Sequence, residues 1–566
     1  MEIFSLQMSN VLTGGPAEAR IFPSLAFLGL ASHLFFIRHR NVDRLVGTGF
    51  IPYLFVQFGF WLLLSIWSGP SQSVTFLWLA NAAFFAPLFA SISVYRLFFH
   101  PLRSFPGPRV ARLTTWWGVG KLAMGEQRYQ HHHELHRRYG KIVRIAPNYL
   151  SINSQEAVAV IYGPGTKCEK SNTFYGLRDA KSLQLETEFT KHRARRPAWD
   201  KALSAKKADY HGGLLGCVEY VPKLYRLTDL MIDCITKADG KDERGVLINH
   251  WLKCFVFDMV GDLGYSKSYG CLDSGKIHQG LLEVEKFLAT GVLLAPLPWL
   301  VRIITSLPGL PAPMQGLKDF ATLSLAERKA AKIDSPDVLS YVFRGKKTLT
   351  PEEEIEDTMM LQIAAGDTTL SALTFAMYHL AINPEIQLAL RKEIVNHADP
   401  ANLAFEALQD LPLLESVINE TLRVHPAVPS GLPRLTPPEG VYIEGIHIPG
   451  NTTVSCPTWT IQHSPENFTD PSTWNPFRWI DHLETHNSKA FIPFSVGPFN
   501  CVGKAFAYME MKQVLARLVT TFEFQLGPTE DGTSLINESQ DHTAMACAPL
   551  WLKMNAIVRK DKYVEP

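Results

Sequence analysis

Cys501 stands in the run Phe494-Ser-Val-Gly-Pro-Phe-Asn-Cys501-Val-Gly503, a setting in which a cysteine can act as a thiolate ligand. A thiolate that ligates iron has to be held close to the metal, supplied with backbone N–H donors and shielded from water. Gly497 and Gly503 allow a tight turn and the close backbone approach that a large flat cofactor needs. A helical pattern, Gly503-Lys-Ala-Phe-Ala-Tyr-Met-Glu-Met, follows directly, so the positive end of a helix dipole faces the sulfur. Phe494 is placed to cover it. Taken alone, a cysteine in a glycine-containing loop is more often inert, so the weight falls on the rest of the chain.

Three other constellations bear on it. Glu420-Thr-Leu-Arg423 puts an acid and a base at i and i+3 on one helix face. As a surface ion pair this would be worth little, but Trp474-Asn-Pro-Phe-Arg478-Trp supplies a second arginine downstream. Ala364-Ala-Gly-Asp367-Thr368-Thr369 lies midway along a long apolar helical pattern. An acid beside a threonine there is costly unless it is solvated or used, and the structural alternative is a helix kink that wants a polar pair. His192-Arg-Ala-Arg-Arg196 places a histidine and an arginine four positions apart on one face, and Arg434 follows Pro429-Ser-Gly-Leu-Pro433. The planar fork of arginine suits carboxylates.

Taken in chain order, and from about Tyr95 onward, these segments resemble the cytochrome P-450 family in its fungal, membrane-bound form. The resemblance implies haem b (iron protoporphyrin IX) with Cys501 as axial ligand and Phe494, Gly497 and Gly503 around it. It implies that Glu420, Arg423 and Arg478 form a network locking the core around the cysteine loop. Asp367 and Thr368 would deliver protons for O–O cleavage, and His192, Arg196 and Arg434 would hold the haem propionates. Arg193 or Arg195 would substitute if that helix slips in register.

Two positions depart from the family pattern. Ala365 stands where glycine is usual, narrowing the groove in which oxygen binds. Phe499 stands where an arginine usually meets a propionate, so charge compensation would fall to Arg196, Arg434 and His192.

The implied reaction inserts one oxygen atom from O2 into a C–H or C=C bond of a lipophilic small molecule. Electrons would come from NADPH through a separate membrane-bound NADPH-cytochrome reductase docking near the cysteine side, since this chain has no flavin or nicotinamide motif. Ala364, Ala365 and the Ala427–Leu432 segment are the expected substrate contacts. Fungal relatives of this layout often serve secondary metabolite pathways, among them terpenoid, polyketide and alkaloid routes. Two other readings compete. A haem-thiolate isomerase or dehydratase would need neither oxygen nor reductase, and the Asp367-Thr368 pair counts against it. A non-catalytic polytopic membrane protein would make Glu420, Arg478 and Cys501 a coincidence.

The elements that must position these residues begin with a membrane anchor at 1–99. Three apolar runs, near 21–37, 47–67 and 74–99, each reach or approach the ~18 residues needed to cross a bilayer. No basic segment precedes the first run, so a cleaved signal is a poor fit. Arg38, Arg40 and Arg44 lie after the first run, and Arg96, Arg103 and Arg109 follow the third, whereas Ser68–Ser73 is uncharged. By the positive-inside tendency, everything after the third run faces the cytosol, as expected for a protein of the endoplasmic reticulum membrane. The first run is the shortest and contains a proline, so one span remains an alternative to three. Residues 100–108 form a proline-rich linker that cannot continue a helix.

From 109 to 566 no further linker or repeat interrupts the pattern, which predicts one large, mainly α domain with small β-sheets. Helices are expected over Tyr129–Tyr139, Pro351–Ile382, Leu408–Val424 and Cys501–Phe522. Thr350 is the N-cap of the second. Strands are expected over Lys141–Ile145, Tyr149–Ile152, Val441–Ile443, Ile446–Ile448 and Thr452–Ser455.

The 566-residue chain is 46% hydrophobic with a formal net charge of +1, which fits a folded protein and argues against a nucleic-acid binder. Eight scattered cysteines suggest a reducing compartment rather than a disulfide framework. His131-His-His133 with His136 reads as a solvated helix face before it reads as a metal site. Gly163-Pro-Gly165 lacks the lysine and hydroxyl of a phosphate loop.

Overall fold

The computed structural model describes residues 18–39, 43–171, 181–203, 217–307, 314–331, 336–345, 349–400, 403–481 and 486–557. Arg40 of the first charged loop lies outside them. The chain divides into two compact units, one of residues 1–124, 142–150 and 293–313 and the other of the remainder.

The first unit is built on three apolar helices, Glu18–Phe35, Asp43–Ser68 and Pro70–Val94, the last running on as a π-helical turn over Tyr95–Phe99. All three are long and apolar enough to cross a membrane. Phe27, Phe55 and Trp78 are 70%, 71% and 74% exposed, an apolar surface that water would not tolerate and lipid would. Polar groups pair between the helices: His33 with Ser91 at 2.7 Å, Tyr53 donating to Asn81 at 2.5 Å, and Asn81 to Gln57 at 3.1 Å. The proline-rich stretch is tied down rather than loose. Arg144, fully buried, donates to the carbonyls of Arg96 (3.1 Å), Leu102 (3.4 Å) and Pro147 (2.7 Å).

The second unit is mainly helical with small sheets. Its central helices, Ile248–Tyr265, Asp367–Ile382 and Lys504–Thr521, are buried around most of their circumference. Leu373, Met377, Val514 and Leu518 are fully inaccessible. Among the small sheets, Arg434–Leu435 pairs antiparallel with Glu169–Lys170 on one side and with Thr453–Ser455 on the other. Val441–Ile443 and Ile446–Ile448 form a hairpin whose turn residues Glu444 and Gly445 have φ of 50° and 74°.

Several expected elements shift, each for a local reason. The long helix starts as expected: Thr350 accepts from the Glu353 N–H at 3.2 Å while Glu353 accepts from the Thr350 N–H at 2.9 Å, a capping box. It is not continuous to Ile382. Pro351–Ala364 ends at Ala365, and a new helix begins at Asp367. The helix expected over Leu408–Val424 starts at Pro412, which occupies its first turn, with a separate short turn over Phe405–Leu408. The helix after the cysteine runs from Lys504 to Thr521, leaving Cys501 in the loop. The histidine run is not a solvated face. His136 is buried between the Gly140 carbonyl (2.9 Å) and the Ser151 hydroxyl (2.8 Å), and His133 meets Trp459 edge-on at 4.8 Å. No metal-holding cluster of His, Cys, Asp or Glu occurs among the described residues.

Candidate active site

The cysteine loop is fixed from several directions. The Cys501 N–H donates to the Phe494 carbonyl at 2.9 Å, and the Asn500 N–H to the Gly497 carbonyl at 3.1 Å. Gly497 has φ +71°, and a Cβ there would lie 2.0 Å from the Tyr162 carbonyl oxygen, so only glycine fits. Burial pushes the Cys501 thiol pKa up, opposed by the Gly503 and Lys504 backbone N–H groups and by the charges of Arg196 and Lys504. Yet Cys501 is exposed by surface area, unlike the other described cysteines. A side chain that is desolvated but keeps open surface faces an internal space.

Glu420, Arg423 and Arg478 come together as one network with almost no solvent exposure. Arg423 grips both Glu420 carboxylate oxygens at 2.8 Å, and Arg478 reaches the same carboxylate at 3.3 Å. Trp479 and the Asn475 N–H add further donors, each at 3.0 Å. The remaining arginine donors go to carbonyls of Gln462 (3.0 Å), Pro471 (2.6 Å), Thr473 (3.0 Å) and Thr469 (2.7 Å). This saturation is what makes a buried ion pair tolerable. Gln462 carries the network to the cysteine loop: its amide donates to the Arg423 carbonyl at 2.9 Å, and its side-chain oxygen accepts from the Ile492 N–H at 2.9 Å.

The helix break lies beside open space. Ala364 is exposed and Thr368 half-buried, although Met359, Leu361, Gln362, Asp367 and Thr369 around them are buried. A Cβ on Gly366 would meet nothing within 4 Å. The Thr368 hydroxyl donates to the Ala364 carbonyl at 3.0 Å across the break, a bond that takes over part of the interrupted helical ladder. Asp367, by contrast, is buried. Burial raises its carboxyl pKa to about 6, Glu285 adds to the rise, and Lys253, paired with Glu285 at 2.5 Å, works against it.

A model of the family described as "Cytochrome P450" matches residues 106–549. The chain belongs to the cytochrome P450 family. It is similar to cytochrome P450 monooxygenase notG' of Aspergillus versicolor, 36% identical with 82% of this chain and 84% of that protein covered. It is 32% identical to tryprostatin B 6-hydroxylase of Aspergillus fumigatus, over 82% of this chain and 83% of the relative. Cytochrome P450 monooxygenase phqL of Penicillium fellutanum is 31% identical, with 92% of each chain covered.

P450 membership makes the chain an oxidoreductase and implies haem, O2 and reductase-supplied electrons. The residues present fit a haem: a thiol facing an internal space, small side chains and a gap at the helix break, and a cationic edge beside the loop. Arg196 donates through its two terminal nitrogens to the Asn500 carbonyl and side-chain oxygen, both at 2.8 Å, and through Nε to Asp200 at 2.7 Å. Arg195 does not stand in for it. Its guanidinium is buried against Asp357 at 2.6 Å and the Lys181 carbonyl at 2.6 Å. His192 packs edge-on against Phe499 at 4.7 Å. Burial and the charges of Lys170, Arg196, Arg195 and Arg434 lower its pKa to about 3, so it stays neutral and can donate from only one ring nitrogen. Arg434 is buried with its guanidinium 5.2 Å from the Phe499 ring and 5.1 Å from Tyr162. Phe494 packs against Tyr508 at 5.4 Å.

The Ala427–Leu432 segment is held in place by residues the motifs do not flag. Asp541 receives Arg128 at 2.8 Å and the Ser430 hydroxyl, while the Ala427 carbonyl accepts from the Met545 N–H at 2.9 Å. Gln462 and Asp541 lie outside every motif, and Asn500, though inside the cysteine run, is given no role by it. Each is a common polar residue whose partners lie tens to hundreds of positions away.

Proposed function

We propose that this chain is a haem-thiolate P450 monooxygenase that inserts one oxygen atom from O2 into a lipophilic small molecule. The product would belong to a fungal secondary metabolite pathway of terpenoid, polyketide or alkaloid type. The observation that carries the reading is the enclosed thiol of Cys501 in a loop anchored to the Glu420–Arg423–Arg478 network. The named activities of the relatives, among them a 6-hydroxylase of tryprostatin B, support the reaction class.

Bound there, haem supplies the iron at which O2 is activated and oxygen is inserted. Cys501 would hold the metal, and the N–H groups of Gly503 and Lys504 would stabilise the sulfur as an anion. His192, Arg196 and Arg434 would hold the propionates. Thr368 faces the internal space with its hydroxyl anchored on Ala364. Asp367, with a pKa near neutrality, passes protons inward from the side of Lys253 and Glu285. The small side chains of Ala364 and Ala365, with the Ala427–Leu432 segment, line the substrate side.

Residues 1–99 would anchor the protein in the endoplasmic reticulum membrane through three spans, 100–108 would set the stance of the body, and 109–566 would form the catalytic domain on the cytosolic face. There it meets a membrane-bound NADPH-cytochrome reductase. The haem is assigned as haem b. Incubation with that reductase, NADPH and isotopically heavy O2 tests the reaction class. One heavy oxygen atom in the product is expected, whereas product formed without oxygen or reductase would favour an isomerase or dehydratase.

A further inference from the structure

The carboxylate of Asp541 joins three segments that lie far apart in the sequence. It accepts twice from Arg128, from Nε at 3.3 Å and from a terminal nitrogen at 2.8 Å, at the start of the Arg128–Tyr139 helix. It accepts from the Ser430 hydroxyl, which belongs to the Ala427–Leu432 segment. It also accepts from the Thr543 N–H at 2.9 Å, within its own hairpin of Gln540–His542 and Ala544–Ala546. The Asp541 N–H donates to the Gln127 side chain at 3.0 Å, so backbone and side chain are both committed. Asp541 and Ser430 are buried, and charge-assisted bonds of this kind are the strong ones.

Two of these segments meet beside the helix that carries Asp367. The Met545 N–H donates to the Ala427 carbonyl at 2.9 Å, which makes the hairpin and the Ala427–Leu432 segment one continuous surface. The Ala544–Ala546 strand packs on the Asp367–Ile382 helix. The next residue is Cys547, whose thiol is pushed up to about 12 by burial and by the Asp367 carboxylate, although it keeps open surface. Like Cys501, it faces an internal space. The hairpin turn is held under strain: Thr543 has φ +81°, a conformation that a β-branched residue rarely adopts. Such a turn persists only where its surroundings fix it, and here the bond to Asp541 does so.

We propose that Asp541 is a positioning residue for the substrate. Clamped by Arg128, it holds the hairpin and the Ala427–Leu432 segment together as one wall, and that wall sets how a bound molecule is presented for oxidation. The carboxylate itself is sealed off by its partners and acts only through the wall. The proposal rests on the haem-thiolate reading above and adds to it a determinant of substrate fit.

Spectral titration of the full-length ferric holoprotein with two azoles measures this without reference to turnover. Imidazole is too small to reach far beyond the iron, whereas 4-phenylimidazole carries a second ring that must rest on the surrounding surface. Asp541→Asn keeps the shape and loses the charge. It should weaken 4-phenylimidazole about tenfold and leave imidazole within about twofold, because the larger probe must then order the wall it touches. Arg128→Met should do the same, and the two changes together should add little to either alone. Ser430→Ala, which removes one contact of the clamp, should weaken 4-phenylimidazole about threefold. An unchanged affinity of Asp541→Asn for 4-phenylimidazole, or an equal loss for both azoles, would overturn the proposal. If Asp541→Asn does not fold, Ser430→Ala decides by the same comparison. The reduced carbon monoxide spectrum keeps the two claims apart. A thiolate band with unchanged discrimination between the azoles removes the role of Asp541 alone, whereas an unaltered protein without that band removes the haem-thiolate reading beneath it.

Discussion

Arg196 holds Asn500, the residue before Cys501, through two 2.8 Å hydrogen bonds, one to its carbonyl and one to its side-chain oxygen. The Phe189–Ala202 helix thereby sets the position of the cysteine directly. Lysine cannot reproduce this fork. Arg196→Lys should cost about 1–3 kcal/mol in urea unfolding of the haem-loaded protein. Asn500→Ala in the Arg196→Lys background should add little further. Full additivity of the two changes would show that the contact is not energetically coupled.

The Glu420 carboxylate accepts from Arg423, Arg478, Trp479 and the Asn475 N–H, all within the core. Removing one partner strands buried charge, so Glu420→Ala should destabilise by about 3–5 kcal/mol and yield protein lacking haem. Arg478→Lys, which keeps the charge and loses the fork, should fall between that variant and the unaltered protein. Soluble, haem-loaded Glu420→Ala with unchanged unfolding would contradict the structural role.

Glu510 lies nine positions after Cys501, buried at 2% exposure. Burial raises its pKa from 4.5 to about 8, with a hydrogen bond from Thr369 pulling the other way. Between those pH values the folded protein holds a proton that the unfolded chain has released. The contribution of Glu510 to stability is therefore full below pH 4.5 and is lost as the pH rises toward 8. The slope approaches about 1.4 kcal/mol per pH unit at most. Glu510→Gln should flatten this decline in urea titrations run across that range. A mutant whose stability tracks the unaltered protein at every pH would exclude the group.

On the proposed reading, Asp367 and Thr368 have separable roles. Asp367→Asn should lower kcat by roughly 10²–10⁴-fold with little change in KM, because a positioned proton donor is lost. Thr368→Val removes the hydroxyl anchored on Ala364 and should divert reducing equivalents to hydrogen peroxide rather than product. Peroxide release measured against NADPH consumption checks the second effect.

The orientation of the body can be read from its sequons. Asn451 begins an Asn-Thr-Thr sequon, is exposed and sits at φ +54° on a turn. With the catalytic body in the cytosol it should carry no glycan, and endoglycosidase should leave the mass unchanged. A glycan at Asn451 would place the body in the lumen.

Much of the fold and site was legible because it depends on local pattern. The three apolar helices announce themselves by unbroken hydropathy, and the capping box at Thr350 and Glu353 is written in consecutive residues. Glu420 and Arg423 share a helix turn, so their pairing follows from spacing alone. The break at Ala365–Gly366 was harder, since a single glycine is tolerated in many helices and only the Thr368–Ala364 bond and the adjoining gap reveal it. Gln462 is not legible in the sequence because tertiary pairing defines it: it bridges Arg423 to Ile492. The histidine run misled because its polar composition suggested solvent, whereas Trp459, Ser151 and the Gly140 carbonyl enclose two of its members.

The identity of the iron ligand is the claim on which the rest depends. The carbon monoxide difference spectrum of the reduced, full-length protein tests it. The account predicts the red-shifted band of thiolate ligation in the unaltered protein and its loss in Cys501→Ser. An intact band in Cys501→Ser would contradict it.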